Sequence, residues 1–467
     1  MEPRRRAADR AVARGTRGRG GTRARRGARL SVRSRAAAVA ALVVAGCGSR
    51  LPERDFTDRP TATTSAAAPV RVGIVTSATS PVGGGAFSGP RDGALAYLDA
   101  LNARGGVYGH RVEAVTCDDG GSGVGNSECV RRLVDQDKVF ALVATSALDY
   151  AGVSYVSRKG VPDIGGIPIG TAYDTYPHLY GIYGSDAPRE GTPGWGGTLY
   201  AGTEVYRWFK EKQQARTAAV VYYNQSASAR YAQQLLQGLR AEGYKTISEQ
   251  VDFALPNFRA VAADLRARGV DILFDAMDTH GNGRLCRAMQ AAGATVSAKV
   301  TNVQNWASTV PTDYQDAAGC RNALWATSAS RNYDETGQPA VAAFRAGMTA
   351  WQRAHGKEPG QFSQWRLEGW AAAMWLTDAL AGCTAGGAAP DRGCVERYMS
   401  RAQPYDARGL LAPVTFAALP DPPATRRTCL SVARWSDAAQ GGHGGWVTQG
   451  GEPASNCLTV PQLPYRP

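Results

Sequence analysis

From Val70 onward, short apolar runs alternate with amphipathic segments, a pattern that predicts βα units and parallel sheets. The first strand-like runs are Arg71–Ser77, Arg111–Thr116, Val139–Ala144 and Pro162–Gly165. Helical spacing falls between them at about 88–103, 126–136 and 147–159, the first with Ala94, Leu95, Leu98 and Leu101 on one face. A second series follows, Thr217–Tyr223, Ile247–Phe253, Asp271–Met277, Lys299–Val303 and Ala323–Thr327, with helices near 228–242, 258–268 and 282–292. Two α/β series of similar size predict two doubly wound lobes. Later helices, at about 339–355 and 361–381, carry Phe344, Met348, Trp351, Trp365, Trp370, Met374 and Trp375 at helical spacing, which reads as core. Beyond Cys383 the chain is Pro/Gly-rich and strand-like and predicts a peripheral extension held by disulfides.

The charge of the chain sits at one end. The whole sequence of 467 residues carries a formal +13, but residues 1–46 hold thirteen Arg against Glu2 and Asp9 and account for +11 of it. The remaining 421 residues are nearly neutral, so the basic composition gives no reason to expect nucleic acid as a partner. The Arg-rich stretch runs into the apolar segment Ala36–Ala45 and then Gly46-Cys47, the order of regions in a secretory signal. The apolar segment is too short to span a bilayer. Val44-Ala45-Gly46-Cys47 resembles the lipobox of bacterial lipoproteins, which implies lipidation of Cys47 and removal of 1–46. The rest of 47–69, rich in Thr, Ala and Pro, reads as a disordered tether between a lipid anchor in the membrane and a folded body.

Eight further cysteines, an even number, fit disulfides in an oxidising compartment: Cys117, Cys129, Cys286, Cys320, Cys383, Cys394, Cys429 and Cys457. Eight cysteines admit 105 pairings, and joining sequence neighbours, one choice among them, gives 117–129, 286–320, 383–394 and 429–457. A metal site is not expected, because CxxC spacing is missing and the five His are scattered at 110, 178, 280, 355 and 443.

Candidate chemistry narrows to binding. Gly83-Gly84-Gly85-Ala86-Phe87-Ser88 follows a strand and opens a helix like a dinucleotide loop, yet the third Gly is missing and Asp118-Asp119 lie too far along, so no cofactor is expected. Ser122 has no Gly two residues later, which removes the nucleophile elbow. His280 has no acid or nucleophile identifiable beside it. Ligands of doubly wound sheets sit at strand carboxyl ends, and the loops there are small and polar: Ser77-Ala-Thr-Ser80, Thr145-Ser146, Gly165-Gly166, Asp278-Thr279 and Gln304-Asn305-Trp306. Hydroxyls and amides suit a small polar solute, with Trp306 as an aromatic wall.

Val72-Gly-Ile-Val75, the run Arg91–Gly109 ending in Asn102-Ala-Arg-Gly-Gly-Val-Tyr-Gly109, and Val115-Thr-Cys-Asp-Asp119 resemble the opening of the leucine/isoleucine/valine-type solute-binding proteins of ABC importers. Gly160-Val-Pro162, Asn257-Phe-Arg259, Gly269–Phe274 and Ala288–Gly293 continue the resemblance, which covers about 70–400. It implies a type I periplasmic-binding fold with a hinge, lobe one at 70–195 plus 330–400, and lobe two at 196–329 plus 401–467. It also implies an extracytoplasmic monomer that captures a solute and delivers it to an ABC permease, without enzymatic activity. A ligand-binding sensor of the same fold is the alternative. Carried over by position, the contacts fall at Ser77, Thr145 or Ser146, Gly166 to Ile169, Asp278 and Gln304, with Thr279 and Trp306 beside the last two. Amino-acid-binding members use a Thr where this chain has Ile169, a Glu at Gln304, a Tyr at Asp278 and Tyr-Gly at Ala227-Ser228. A buried ammonium without its carboxylate is costly, so free branched-chain amino acids are not the expected ligand. Asp278 favours a cationic or hydroxyl-bearing solute.

Overall fold

Strand β1 (Val70–Thr76) is buried at every position except Arg71, as a strand covered on both faces must be. The computed structural model describes residues 67–466 apart from 386, 452, 454 and 455. The signal 1–46, the lipidation at Cys47 and nearly all of the tether 47–69 lie outside the described residues.

β1 is followed by β2 (Val112–Asp118), β3 (Ala141–Val143), β4 (Asp163–Gly166) and β5 (Leu179–Gly181). Together they form one parallel sheet in the order β2-β1-β3-β4-β5. The connecting helices are α1 (Gly84–Asn102), α2 (Gly123–Arg131) and α3 (Val153–Arg158). Order reversal around β1 makes a switch point, and the loops leaving β1 and β3 open there.

Next come β6 (Leu199–Gly202) and α4 (Glu204–Gln213), then a second winding with β7 (Thr217–Tyr223), β8 (Lys245–Val251), β9 (Ile272–Ala276), β10 (Ala298–Thr301) and β11 (Leu324–Ser328). Its helices are α5 (Ser226–Ala241), α6 (Phe258–Ala267), α7 (Thr279–Ala292), α8 (Val310–Asp313) and α9 (Ala318–Arg321). Beyond β11, α10 (Pro339–Ala354) and α11 (Gln364–Thr384) return to the first sheet, where α11 packs on α1 and β4. α11 is buried over most of its circumference, which is why its aromatic residues read as core. Trp375 stacks on Tyr405 with ring centroids 4.7 Å apart.

The C-terminal part differs from the expectation of a peripheral extension. It contains α12 (Arg392–Met399), β12 (Thr425–Cys429), β13 (Ser431–Ser436), β14 (Gly445–Gln449) and β15 (Cys457–Tyr465). The hairpin β13-β14 joins the second sheet antiparallel to β11, giving the order β14-β13-β11-β10-β9-β7-β8. It covers the edge that β11 would otherwise leave open, and it buries Trp435 and Trp446. Among the described residues, β12, β15 and β6 form a separate small antiparallel sheet.

The four disulfides join cysteines in sequence order. Cys117–Cys129 ties β2 to α2 and Cys286–Cys320 ties α7 to α9. Cys383–Cys394 ties α11 to α12, and Cys429–Cys457 joins facing positions of β12 and β15.

Candidate functional site

Three stretches of chain run side by side between the two sheets. Ser330 bridges Leu411, and Arg331 N–H donates to the Leu410 carbonyl at 2.7 Å. On the other side, Ser185 N–H donates to the Thr415 carbonyl at 3.2 Å. Glu368 of α11 lies fully buried against this hinge. Its Oε1 accepts hydrogen bonds from Ser330 at 2.5 Å, Tyr183 at 2.9 Å and Ser328 at 3.0 Å, so one carboxyl oxygen gathers two crossing segments.

Burial pushes the Glu368 carboxyl from its ordinary 4.5 up to about 7, against the lowering effect of the three hydroxyls. A raised carboxyl holds its proton more tightly in the folded state, so the stability it contributes is full below pH 4.5 and is lost as pH climbs through the folded value. The wild-type protein should therefore lose roughly 2 kcal/mol of unfolding free energy to this group between about pH 5 and about pH 7. Urea denaturation across that range should show a shallower loss in Glu368→Gln. Burial raises Asp163 to about 6, which adds a slope of the same sign in both proteins, so the difference isolates Glu368. Equal slopes would remove the assignment.

A cavity of about 580 Å³ opens beside the hinge. One wall is the amino end of α1, Gly83 to Ala86, together with Gln361, Ser363 and Arg366 around the start of α11. The facing wall comes from the second winding: Asp278, Thr279 and His280 at the start of α7, Arg287 further along it, Gln304, and Thr309, Thr312 and Asp313 around α8. Gly83 is left-handed at φ +66°, and the Gln304 amide occupies the place where a β-carbon would stand. The left-handed backbone favours glycine there, and its missing side chain lets the Gln304 amide come close. A second hollow of about 650 Å³, more apolar, lies between α1, α10 and α11.

Asp278, Thr279 and Gln304 reach the cavity as the sequence suggests. Asp278 caps α7: its Oδ1 accepts from Gly281 N–H at 3.0 Å and from the Tyr223 hydroxyl at 2.9 Å. Thr279 donates to Asn305 at 2.5 Å. The expected first-lobe contacts are used inside the lobe instead. Ser77 is buried, donating to Asp119 at 2.6 Å and accepting from Leu148 N–H at 2.9 Å. Thr145 donates to Asp163 at 3.0 Å, and Ser146 donates to the Phe87 carbonyl at 2.8 Å. Tyr173 lies over Gly166 and also donates to Asp163 at 3.0 Å. Ile169 is exposed and does not line the cavity. Trp306 is core and not a wall: it is fully buried, with its ring centroid 5.7 Å from that of Trp446. The sequence places all of these at strand ends, but only the tertiary packing decides which polar groups are already taken.

Arg366, Arg287 and Asp313 escaped the sequence reading. Arg366 sits in a helix whose apolar pattern reads as core, and Arg287 lies among ordinary helix-surface residues. The glycine run at 83–85 was the available signal, since it opens a helix at a strand end.

Two α/β windings, adjacent crossing segments and a polar cavity between the windings define a two-lobed solute-binding protein of the type I class. The sequence matches the periplasmic binding protein family over residues 69–441, and the chain belongs to that family. Members of this family are solute-binding or receptor proteins, and an extracytoplasmic location goes with them. Among the described residues no helix is long and apolar enough to cross a membrane. Comparison with curated proteins finds no match. Among solved structures, the chain resembles the branched-chain amino acid binding protein LivJ of Streptococcus pneumoniae in complex with isoleucine, at 16% identity and a TM-score of 0.59, over 82% of this chain and 100% of that one. It also resembles an ABC-transporter solute-binding protein of R. palustris in complex with benzoate, at 15% identity and a TM-score of 0.60, over 84% of this chain and 97% of the other. A substrate-binding protein of Aeropyrum pernix gives a TM-score of 0.63 at 14% identity, over 84% of this chain and 97% of the other. At such identities the likeness establishes the fold alone.

Proposed function

We propose that the protein is the extracytoplasmic solute-binding component of an ABC-type importer, lipid-anchored through Cys47, that captures a small polar or amphipathic solute between its lobes. Lobe one is assigned to 70–195 plus 330–400 and lobe two to 196–329 plus 401–467. The observation that carries the reading is the cavity of about 580 Å³ beside the hinge, whose walls come from both windings and offer hydroxyls, amides and charged groups. A ligand touching both walls favours the closed arrangement by its differential contacts. Capture rather than turnover is the reading that the solute-binding and receptor members of the family support.

Native mass spectrometry of the gently purified protein should reveal a co-purifying small molecule, and solution scattering should show compaction when that molecule is returned to stripped protein. Absence of compaction with any tight ligand would count against the reading. Asp278→Asn should weaken binding by about tenfold if the Asp278 carboxylate accepts from the solute, a loss of about 1.4 kcal/mol. Unaltered affinity would remove Asp278 from the site. For the anchor, membrane fractions should yield a mature chain beginning at a lipid-modified Cys47, and an unmodified amino terminus upstream of it would refute the assignment.

A further inference from the structure

The first-lobe wall of the cavity carries more positive charge than its own acids neutralise. Arg366, in the first turn of α11, donates from one terminal nitrogen to the Gln361 carbonyl at 3.1 Å. Its other terminal nitrogen lies 3.8 Å from Asp92, and its Nε is buried with no hydrogen-bond partner. Asp92 is already shared: Arg91 sits 2.8 Å away and Lys357 3.1 Å away. One carboxylate thus serves three cations. Burial lowers the Arg366 pKa, the mark of a guanidinium held out of water without full compensation.

The facing wall offers a guanidinium of its own. Arg287 of α7 is half-buried, lines the same cavity and has no hydrogen-bond or ion-pair partner among the described residues. The acids on that wall are turned to other work. One oxygen of Asp278 accepts from the α7 amide and the Tyr223 hydroxyl, burial raises the Asp313 carboxyl above its ordinary range, and among the described residues neither acid forms an ion pair with Arg287. Guanidinium N–H groups without partners on both walls of one cavity suit an anion from outside, because removing a charged group from water is costly unless an opposite charge and hydrogen bonds replace the water.

We propose that Arg366 and Arg287 form an anion subsite, so that the captured solute carries a carboxylate, phosphate or sulfate group bound by the two guanidiniums while its hydroxyl or amino groups meet Asp278, Thr309 and Thr312. The inference rests on the solute-binding reading and specifies its substrate class. It also gives closure a cause, since one anionic group contacts cations contributed by both walls. Arg366 has an Nε–H without a partner beside terminal nitrogens turned to Gln361 and Asp92, a planar donor set that a lysine at the same place does not reproduce.

The test uses the purified full chain and thermal-shift and calorimetric titration with succinate, benzoate, glycerol 3-phosphate and inorganic sulfate, against glucose and putrescine. At least one anion should raise the melting temperature, and the responding member tells carboxylate from phosphate or sulfate. Affinity for it should fall by about tenfold or more in Arg287→Gln and in Arg366→Gln, the loss of one charge-assisted hydrogen bond. Arg366→Lys should recover only part of the binding. Among the described residues Arg287 makes no hydrogen bond or ion pair that its loss would break, so Arg287→Gln remains informative even where an Arg366 variant folds poorly. No response to any of the anions, or equal affinity in wild type and Arg287→Gln, overturns the subsite. Tight binding of glucose or putrescine with compaction overturns the subsite while leaving solute capture standing. Failure of every solute to compact the protein counts against solute capture itself.

Discussion

Lys299→Met should lower the unfolding free energy by about 3–5 kcal/mol, although it replaces a charged residue with an apolar one of similar length. Lys299 lies in β10 with no exposure at all, and its ammonium donates to Asp275 at 2.8 Å and to Asn282 at 2.5 Å. Asn282 in turn donates to the second oxygen of Asp275 at 2.9 Å, which closes a three-residue ring inside lobe two. A ring of this kind is near neutral as a whole, because desolvation offsets most of the attraction. Breaking it is different: the methionine leaves the Asp275 carboxylate buried with a single amide donor. A buried carboxylate without its cation favours taking up a proton, so the variant should regain stability as pH is lowered. Adding Asp275→Asn to Lys299→Met should recover at least half of the loss. Urea denaturation of the three proteins at neutral and mildly acidic pH checks both statements, and a loss below about 1 kcal/mol in the single variant would show that water reaches the ring.

Gly93→Ala should cost about 3 kcal/mol and weaken solute binding as well. A β-carbon at Gly93 would collide with the Arg366 carbonyl and stand 2.9 Å from the Trp370 nitrogen, both of them backbone atoms that no rotamer change can move. Gly369 meets the Pro90 backbone in the same way from the other helix. α1 and α11 therefore cross with their main chains in contact, and one methyl group forces them apart. The displaced segment carries Ser363 and Arg366, which line the cavity, so the damage reaches the site. Chemical denaturation measures the first effect and titration with the co-purified solute the second. A variant as stable as wild type would mean that the two helices separate freely, and it would remove the link between this crossing and the cavity.

Both results depend on features that sequence patterning treats unequally. Asp271–Met277 and Lys299–Val303 read as buried strands, yet nothing in their spacing says that Lys299 and Asp275 face one another, since that pairing arises from the neighbouring register of β9 and β10. Gly93 reads as one small residue in a helical pattern. Its necessity appears only once α11, nearly three hundred residues further along, lies across it.

The cavity lining divides in the same way. Strand-end loops are legible because apolar runs stop where polar residues begin, and Asp278, Thr279 and Gln304, which line the cavity, stand at such ends. The rule also selected Ser77, Thr145 and Ser146, whose hydroxyls are spent on Asp119, Asp163 and the Phe87 carbonyl. Arg287 and Arg366 were invisible to it, because a guanidinium on a helix is ordinary until its partners are counted.

By itself the sequence determined the alternation of strands and helices, the two-lobed class, an even set of eight cysteines suited to disulfides and the separation of a basic end from a nearly neutral body. These follow from local periodicity, from cysteine number and from where charges fall along the chain. Only the tertiary structure decided that the β13-β14 hairpin completes the second sheet, that Trp306 belongs to the core and that the first-lobe hydroxyls are already satisfied. Those outcomes turn on which groups compete for the same partner in three dimensions, and hydrogen bonds and buried charges are settled by that competition between distant segments.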